Sequence, residues 1–191
     1  MSDTKPVCVG LILAGGGSTR MGIDKSLLRR EQQTMLTFSR SLLSTLGLDT
    51  HISGGRQGMA DVTPQAGPLG GIYSSLKTLQ SDALLVLPVD MPLLTPKLLH
   101  QLMDVGERLG VPVCYEDCYL PLYLPVNAGL RNYLDEVFAE GSQQPRSIKK
   151  MLSALGGKQL PLSDRQPLIN ANTPEEWQSA MALLAGGHDQ Q

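Results

Sequence analysis

Residues 7–25 read VCVGLILAGGGSTRMGIDK: a short apolar run, a glycine turn, and two cations, Arg20 and Lys25. Val7 to Leu13 is rich in β-branched residues and is ended by Gly15-Gly16-Gly17, so it reads as a strand buried on both faces. A second such run, Ala83 to Leu87, is stopped by Pro88. Between the two, Thr34 caps a helix whose Met35, Phe38, Leu42 and Leu46 share a stripe, with Gly47 at its stop. Thr50 to Ser53 reads as a short strand followed by a glycine-containing loop, Gly54 to Gly58. A helix over Gly70 to Gln80, reached through Gly67-Pro68, turns Ile72, Leu76 and Leu79 inward.

The alternation continues downstream. Thr95-Pro96 is a cap followed by proline at the first helical position, and Leu98, Leu99, Leu102 and Met103 form the apolar face. Val111 to Tyr115 and Tyr119 to Val126 read as strands. Asn127 caps a helix carrying Leu130, Leu134, Val137 and Phe138, and a further helix spans Arg146 to Leu155. Lys158 to Leu162 and Leu168 to Asn170 read as short strands. Thr173-Pro174-Glu175-Glu176 opens a last helix with a capping box, and the tail GGHDQQ is expected to fray. Strands alternating with helices predict an α/β fold with a mostly parallel sheet covered on both faces. With no repeat, linker or low-complexity segment, residues 1–191 are expected to form one domain.

Composition narrows the function classes. The chain has 16 Lys and Arg against 18 Asp and Glu, a formal charge of -2, which argues against nucleic-acid binding through bulk basic charge. Aromatics are only 4%, leaving few stacking platforms for single strands. Three Cys, an odd number in a chain that can bury a core without staples, predict reduced thiols and a cytoplasmic setting. The apolar run from Val7 to Ala14 is too short to span a bilayer, so no membrane association is expected.

In open parallel sheets, ligands sit beyond the carboxyl ends of the strands. After the first strand, glycines let backbone N–H groups form a nest for an anion, and Arg20 and Lys25 add positive charge. The spacing matches neither the Walker A loop nor the dinucleotide fingerprint. After the second strand comes Leu87-Pro88-Val89-Asp90-Met91-Pro92, in which prolines on either side hold one carboxylate in place. Asp90 suits Mg²⁺, which uses one or two carboxylates with substrate phosphates and water; the alternative is a turn aspartate. In Ile169-Asn170-Ala171-Asn172, Asn172 either completes a metal shell or forms an Asx turn. Gly67-Pro68-Leu69-Gly70-Gly71 either lets a flat base approach the backbone or is simply where a helix begins. A cationic nest, a carboxylate and glycine surfaces are the parts of a nucleotidyl-transfer site, where catalysis is mainly positioning and charge stabilisation.

LAGGGSTRMGIDKSLL, GPLGGIYSSL, LPVDMPLL and INANTPEEW, in this order and at these distances, resemble the molybdenum cofactor guanylyltransferases. The similarity runs from about Val9 to Leu184. It implies a Rossmann-like three-layer sandwich and transfer of GMP from GTP to molybdopterin-bound molybdenum cofactor, with release of pyrophosphate. It also implies that Leu13, Ala14 and Gly15 contact the nucleotide, that Lys25 binds phosphate, and that Asp90 holds Mg²⁺. Asn170 and Asn172 would line the site near metal and pterin, and Arg20 would steady the leaving pyrophosphate. Ser53 stands where the family often has a guanine-reading asparagine, Asp61 is the candidate for a nucleotide-contacting aspartate, and Gly70 lies in the segment that distinguishes guanine from cytosine users. GTP and the molybdenum cofactor are the implied small-molecule partners. A molybdenum-inserting protein and an apo-molybdoenzyme or its chaperone are the implied protein partners. The alternatives are a cytidylyl- or sugar-nucleotidyltransferase of the same class and a non-catalytic cofactor carrier.

Other residues carry weaker signals. Cys114 and Cys118 read as strand thiols rather than metal ligands, since no second pair or nearby His supports them. His51, His100 and His188 have no partner at a triad spacing. Trp177 reads as a packing residue. Arg146, Lys149 and Lys150 read as a solvated helix face, with contact to the phosphate of the pterin substrate as the alternative.

Overall fold

The computed structural model describes residues 7–15, 25–55, 57–58 and 66–188. The first strand, β1 (Cys8–Leu13), is an interior strand, second from one edge of a six-stranded sheet. A 3-10 turn over Lys25–Leu27 leads into a small hairpin of β2 (Arg29–Arg30) and β3 (Gln33–Thr34). Then follow α1 (Met35–Thr45), β4 (Thr50–Ser53), α2 (Gly67–Leu76), β5 (Ala83–Pro88) and α3 (Pro96–Leu109). The second half contains β6 (Val113–Tyr115), β7 (Cys118–Pro125), α4 (Ala128–Phe138), α5 (Ile148–Ala154), β8 (Lys158–Leu160) and α6 (Pro174–His188).

The sheet order is β4-β1-β5-β7-β6-β8. β1 pairs in parallel with β4 and β5, and β6 with β8, while β7 runs antiparallel to both its neighbours. The sheet is therefore mostly parallel, with one reversed strand at its middle. Strand alternation divides the core between its two faces. Ile12, Leu85 and Leu87 meet Phe38, Leu42, Leu99 and Leu102 of α1 and α3. Leu11, Leu13, Leu84 and Val86 meet Leu69, Ile72, Leu130 and Met151 of α2, α4 and α5. The result is a three-layer α/β sandwich. Trp177 of α6 packs, half-buried, against the first of these clusters.

The caps hold as their chemistry dictates. Thr34 Oγ1 accepts from the Thr37 N–H and Asn127 Oδ1 from the Leu130 N–H. Thr95 occupies the N-cap of α3 without a side-chain bond, leaving the fixed φ of Pro96 to start the helix. Several expected boundaries move. The helix expected over Gly70 to Gln80 is α2, which starts three residues earlier, and α5 begins at Ile148, so Arg146 precedes it. Leu168 to Asn170 is not a strand: Gln166–Leu168 is a 3-10 turn, where Pro167 lacks the N–H that a ladder needs. The last helix continues through His188, so the first half of GGHDQQ is helical rather than frayed. Among the described residues no helix is long and apolar enough to cross a membrane.

Candidate active site

The chain crosses from one side of the sheet to the other between β1 and β5, so a crevice opens beyond their carboxyl ends. A cleft of about 770 Å³ lies there. Leu13, Ala14, Gly15, Lys25, Ser53, Asp90, Asn170 and Asn172 all line it. Elements far apart in sequence are tied together at this edge by main-chain bonds. Ala14 N–H donates to Ser53 O at 2.9 Å, Val89 N–H to Leu13 O at 3.2 Å, and Ala171 N–H to Asp90 O at 2.8 Å.

At the centre, the Lys25 ammonium donates to Asp90 Oδ2 at 3.0 Å and to Asn172 Oδ1. The Lys25 and Asp90 side chains are each 19% exposed, a partly dry setting in which the attraction is stronger than on open surface. Asn172 is held from the helix side. The Asn172 and Thr173 N–H groups both donate to Glu176 Oε2, and Thr173 Oγ1 accepts from the Glu176 N–H. That reciprocal arrangement is the capping box expected from the sequence, and it extends one residue upstream to fix the Asn172 backbone.

Close packing shapes the β1–β4 side. A Cβ on Gly54 would lie 2.5 Å from Gly15 Cα, and Gly54 has φ +73°, so both space and conformation demand glycine. A Cβ on Gly71 would meet Ser53 Oγ at 2.8 Å and Leu13 Cδ2 at 2.9 Å. Gly71 therefore lets α2 seat on the buried Ser53 hydroxyl group, and it lines the cleft with Gly67, Pro68 and Leu69. Gly70, singled out in the sequence, is buried and is not part of the cleft wall. Arg20 and Asp61 lie outside the described residues.

At the opposite end of the cleft, the sequence offered only the alternative that Arg146, Lys149 and Lys150 meet the phosphate of the pterin substrate. Asp117, at the turn joining β6 and β7, and Cys118 to Leu120, at the start of β7, line this end together with Arg146, Ser147, Ile148 and Lys149 ahead of and within α5. Asp117 takes φ 52°, a conformation aspartate tolerates better than most residues. Its visible sequence signal was only the short gap between two strand-like runs. Of the basic residues read as a solvated face, Arg146 and Lys149 line the cleft, whereas Lys150 is exposed away from it.

Cys114 and Cys118 do not form a pair. Cys114 packs into the cluster on the α2–α4 face and Cys118 against the other, so the sheet separates their thiols. Burial, with a lesser push from Cys118, drives the Cys114 thiol up to about 12. Cys118 lines the cleft, donates its S–H to Leu120 O, and is likewise raised, mainly by burial. Both are neutral thiols at physiological pH. His100 pairs with Asp104 at 2.9 Å on the exposed face of α3, one helical turn away and far from triad chemistry. Among the described residues no cluster of three or more His, Cys, Asp or Glu side chains could hold a metal by itself.

Residues 10–159 match the family model described as MobA-like NTP transferase domain. A Xanthomonas euvesicatoria protein named molybdenum cofactor guanylyltransferase is 37% identical over 175 residues, spanning 88% of this chain and 91% of the relative. A Pseudomonas fluorescens protein of the same name is 32% identical over 189 residues, spanning 91% and 94%. Among solved structures, the molybdopterin-guanine dinucleotide biosynthesis protein A of Archaeoglobus fulgidus superposes with a TM-score of 0.73 at 19% identity, covering 93% of this chain and 98% of that one. A Mycobacterium tuberculosis protein solved in complex with manganese has a TM-score of 0.65 at 17% identity, covering 94% and 100%.

Proposed function

This chain belongs to the MobA-like NTP transferase family, and from that premise we propose that it transfers GMP from GTP to the molybdenum cofactor, giving the guanine dinucleotide cofactor and pyrophosphate. The observation that carries the reading is the Lys25 ammonium held between Asp90 and Asn172 at the carboxyl edge of the sheet. Two oxygens converge there on one positive charge, inside a cleft large enough for a nucleotide and an acceptor.

Asp90 Oδ2 and Asn172 Oδ1 are hard oxygen donors already arranged around a cation, so the residues present fit Mg²⁺, with the remaining ligands coming from phosphates and water. The manganese complex of a structural relative is in keeping with a divalent ion in this fold. When bound, the metal supplies neutralisation of charge on the triphosphate. The Lys25 ammonium, 3.0 Å from Asp90 Oδ2, would donate to the triphosphate beside it, adding a fixed positive charge on the protein side of the cleft. An oxygen of the acceptor's terminal phosphate attacks the α-phosphorus of GTP, forming a P–O bond as the bond to the β-phosphate oxygen breaks. Pyrophosphate leaves with that electron pair. No protein group needs to take a proton from a phosphate dianion, so the side chains act by orientation and charge.

Leu13, Ala14, Gly15 and Ser53, with Asp61 and the first turn of α2, which contains Gly70, are assigned to the nucleoside. Lys25 and Arg20 are assigned to the triphosphate, Asp90 to the metal, and Asn170 and Asn172 to the acceptor, with Asn172 also beside the metal. We assign the whole reaction to one domain and to the cytoplasm, where the unpaired Cys114 and Cys118 thiols stay reduced. Delivery of substrate and product would involve a molybdenum-inserting protein and an apo-molybdoenzyme or its chaperone.

Calorimetric titration with GTP, CTP, ATP and UTP in the presence of Mg²⁺ tests this reading. Selective GTP binding, followed by pyrophosphate release when the acceptor is added, is the expected result. Preference for CTP would transfer the chain to the cytidylyl branch of the class, and binding of none would favour a carrier.

A further inference from the structure

The cleft has a charge imbalance that the nucleotide end does not account for. Its lining cations are Lys25, Arg146 and Lys149, and its lining carboxylates are Asp90 and Asp117. Asp90 is matched by Lys25, and Asp117 faces Arg165 at 3.5 Å. Neither Arg146 nor Lys149 has an ion-pair partner among the described residues. Two cations facing a cavity with no counter-charge favour an anion from solution.

Arg146 is also not a loose side chain. Its guanidinium lies over the Phe138 ring, 5.0 Å from the centroid. Phe138 stacks on Tyr73 with centroids 4.5 Å apart and planes within 6°. The Lys77 ammonium lies 4.3 Å from the Tyr73 centroid and is itself held by Asp135 at 3.2 Å. This ladder joins α2, α4 and the segment before α5, so a rigid aromatic pair restrains the Arg146 guanidinium where it lines the cleft. A planar guanidinium restrained in this way is suited to bidentate contact with a phosphate.

Position along the sheet says which phosphate. The carboxyl ends of β4 and β1 carry Ser53, Ala14 and Gly15, β5 leads to Asp90, and Asp117 of the β6–β7 turn and the start of β7, Cys118 to Leu120, come next. Nucleoside contacts, metal ligand and the Arg146 wall thus succeed one another across the sheet. In-line displacement brings the attacking group in from the side opposite the leaving pyrophosphate, and the acceptor needs its own site away from the nucleoside.

We propose that Arg146, seconded by Lys149, binds the terminal phosphate of the acceptor, and that Phe138 and Tyr73 are positioning residues which set the guanidinium. This rests on the transfer reaction proposed above. Steady-state kinetics with GTP and the molybdenum cofactor, alongside calorimetry of GTP binding, test it on the full chain. Arg146→Ala should raise the acceptor KM about tenfold or more while the GTP Kd changes by less than about twofold. Arg146→Lys should recover part of that loss, since it keeps charge but not the fork. Phe138→Leu, which keeps apolar bulk, should raise the acceptor KM about threefold with GTP binding unaltered. An unchanged acceptor KM in Arg146→Ala, with GTP binding and turnover intact, sinks the subsite and leaves the transfer reaction standing. A GTP Kd that weakens in step would hand Arg146 to the nucleotide and equally overturn the proposal. Failure of the native protein to bind GTP overturns both.

Discussion

Replacing Arg30 by methionine should reveal how firmly the loop bearing Asp90 is tied down. Arg30 Nε donates to Pro92 O at 2.7 Å, its guanidinium lies 4.1 Å from the Phe38 centroid, and Nη1 meets Glu31 Oε2 at 2.9 Å. Methionine keeps the apolar stem in place and removes all three polar contacts. A hydrogen bond from a charged donor to a carbonyl contributes about 1.5–3 kcal/mol. The cation–π contact contributes about 0.5–1 kcal/mol. The Glu31 side chain is 47% exposed, so that ion pair adds no more than about 0.5 kcal/mol. These contributions overlap, and a net loss of about 2–3 kcal/mol is expected. For a chain of this length the corresponding drop in Tm is roughly 5–10 °C. The segment Arg30 leaves also follows Lys25 directly, and Pro92 lies two residues beyond Asp90, so the substitution loosens the two site elements relative to each other. Urea unfolding at constant m, paired with a titration of activity against Mg²⁺, reads both effects: lower stability and a higher metal concentration for half-maximal rate. A stability change under about 0.5 kcal/mol would refute the claim that this guanidinium secures the loop.

Asp90→Asn should cut turnover by about 10²–10³-fold while the unfolding transition stays cooperative; near-normal turnover at saturating Mg²⁺ would remove Asp90 from the metal. Gly106→Ala should destabilise by about 2 kcal/mol in urea despite alanine's helix propensity, because its Cβ would sit 2.0 Å from Tyr123 Cδ1 in the core; a neutral result would mean that the Tyr123 ring yields freely. Stability should fall as pH rises from about 9 to about 12. Burial raises Cys114 from 9.0 and Tyr115 from 10.0, each to about 12, so the unfolded chain loses these protons first. Tyr115→Phe should flatten the upper part of that slope; a profile unchanged between pH 10 and 12 would contradict a buried, neutral Tyr115.

The two long apolar strands, the capping residues Thr34 and Asn127, and the capping box at Thr173 were readable because each depends on local chemistry. The cleft positions Lys25 and Asp90 were readable because they lie in the segments after β1 and β5, whereas Asn172 follows a 3-10 turn and was placed in the site only through the family resemblance. The hairpin of β2 and β3 was not foreseen: two-residue strands at Arg29–Arg30 and Gln33–Thr34 are too short for any periodicity to register. The reversal of β7 was also invisible, because Cys118–Pro125 has the same apolar character whichever way it runs. The Arg146 wall was left open between two meanings, since its role depends on a stack contributed by Tyr73 and Phe138 from two other helices. Such through-space partners leave no trace at sequence spacing.

The bond from Lys25 to Asn172 spans 147 positions of the chain. During synthesis from the N-terminus, all six strands of the sheet have been made before Asn172 and α6 are added. A nascent chain paused at that point holds Asp90 and Lys25 near each other but lacks the oxygen and the capped helix that complete the site. Assembly of the Lys25–Asp90–Asn172 cluster is thus deferred to the end of translation, so a chain truncated before α6 can retain most of the sheet's architecture and still lack the completed cluster.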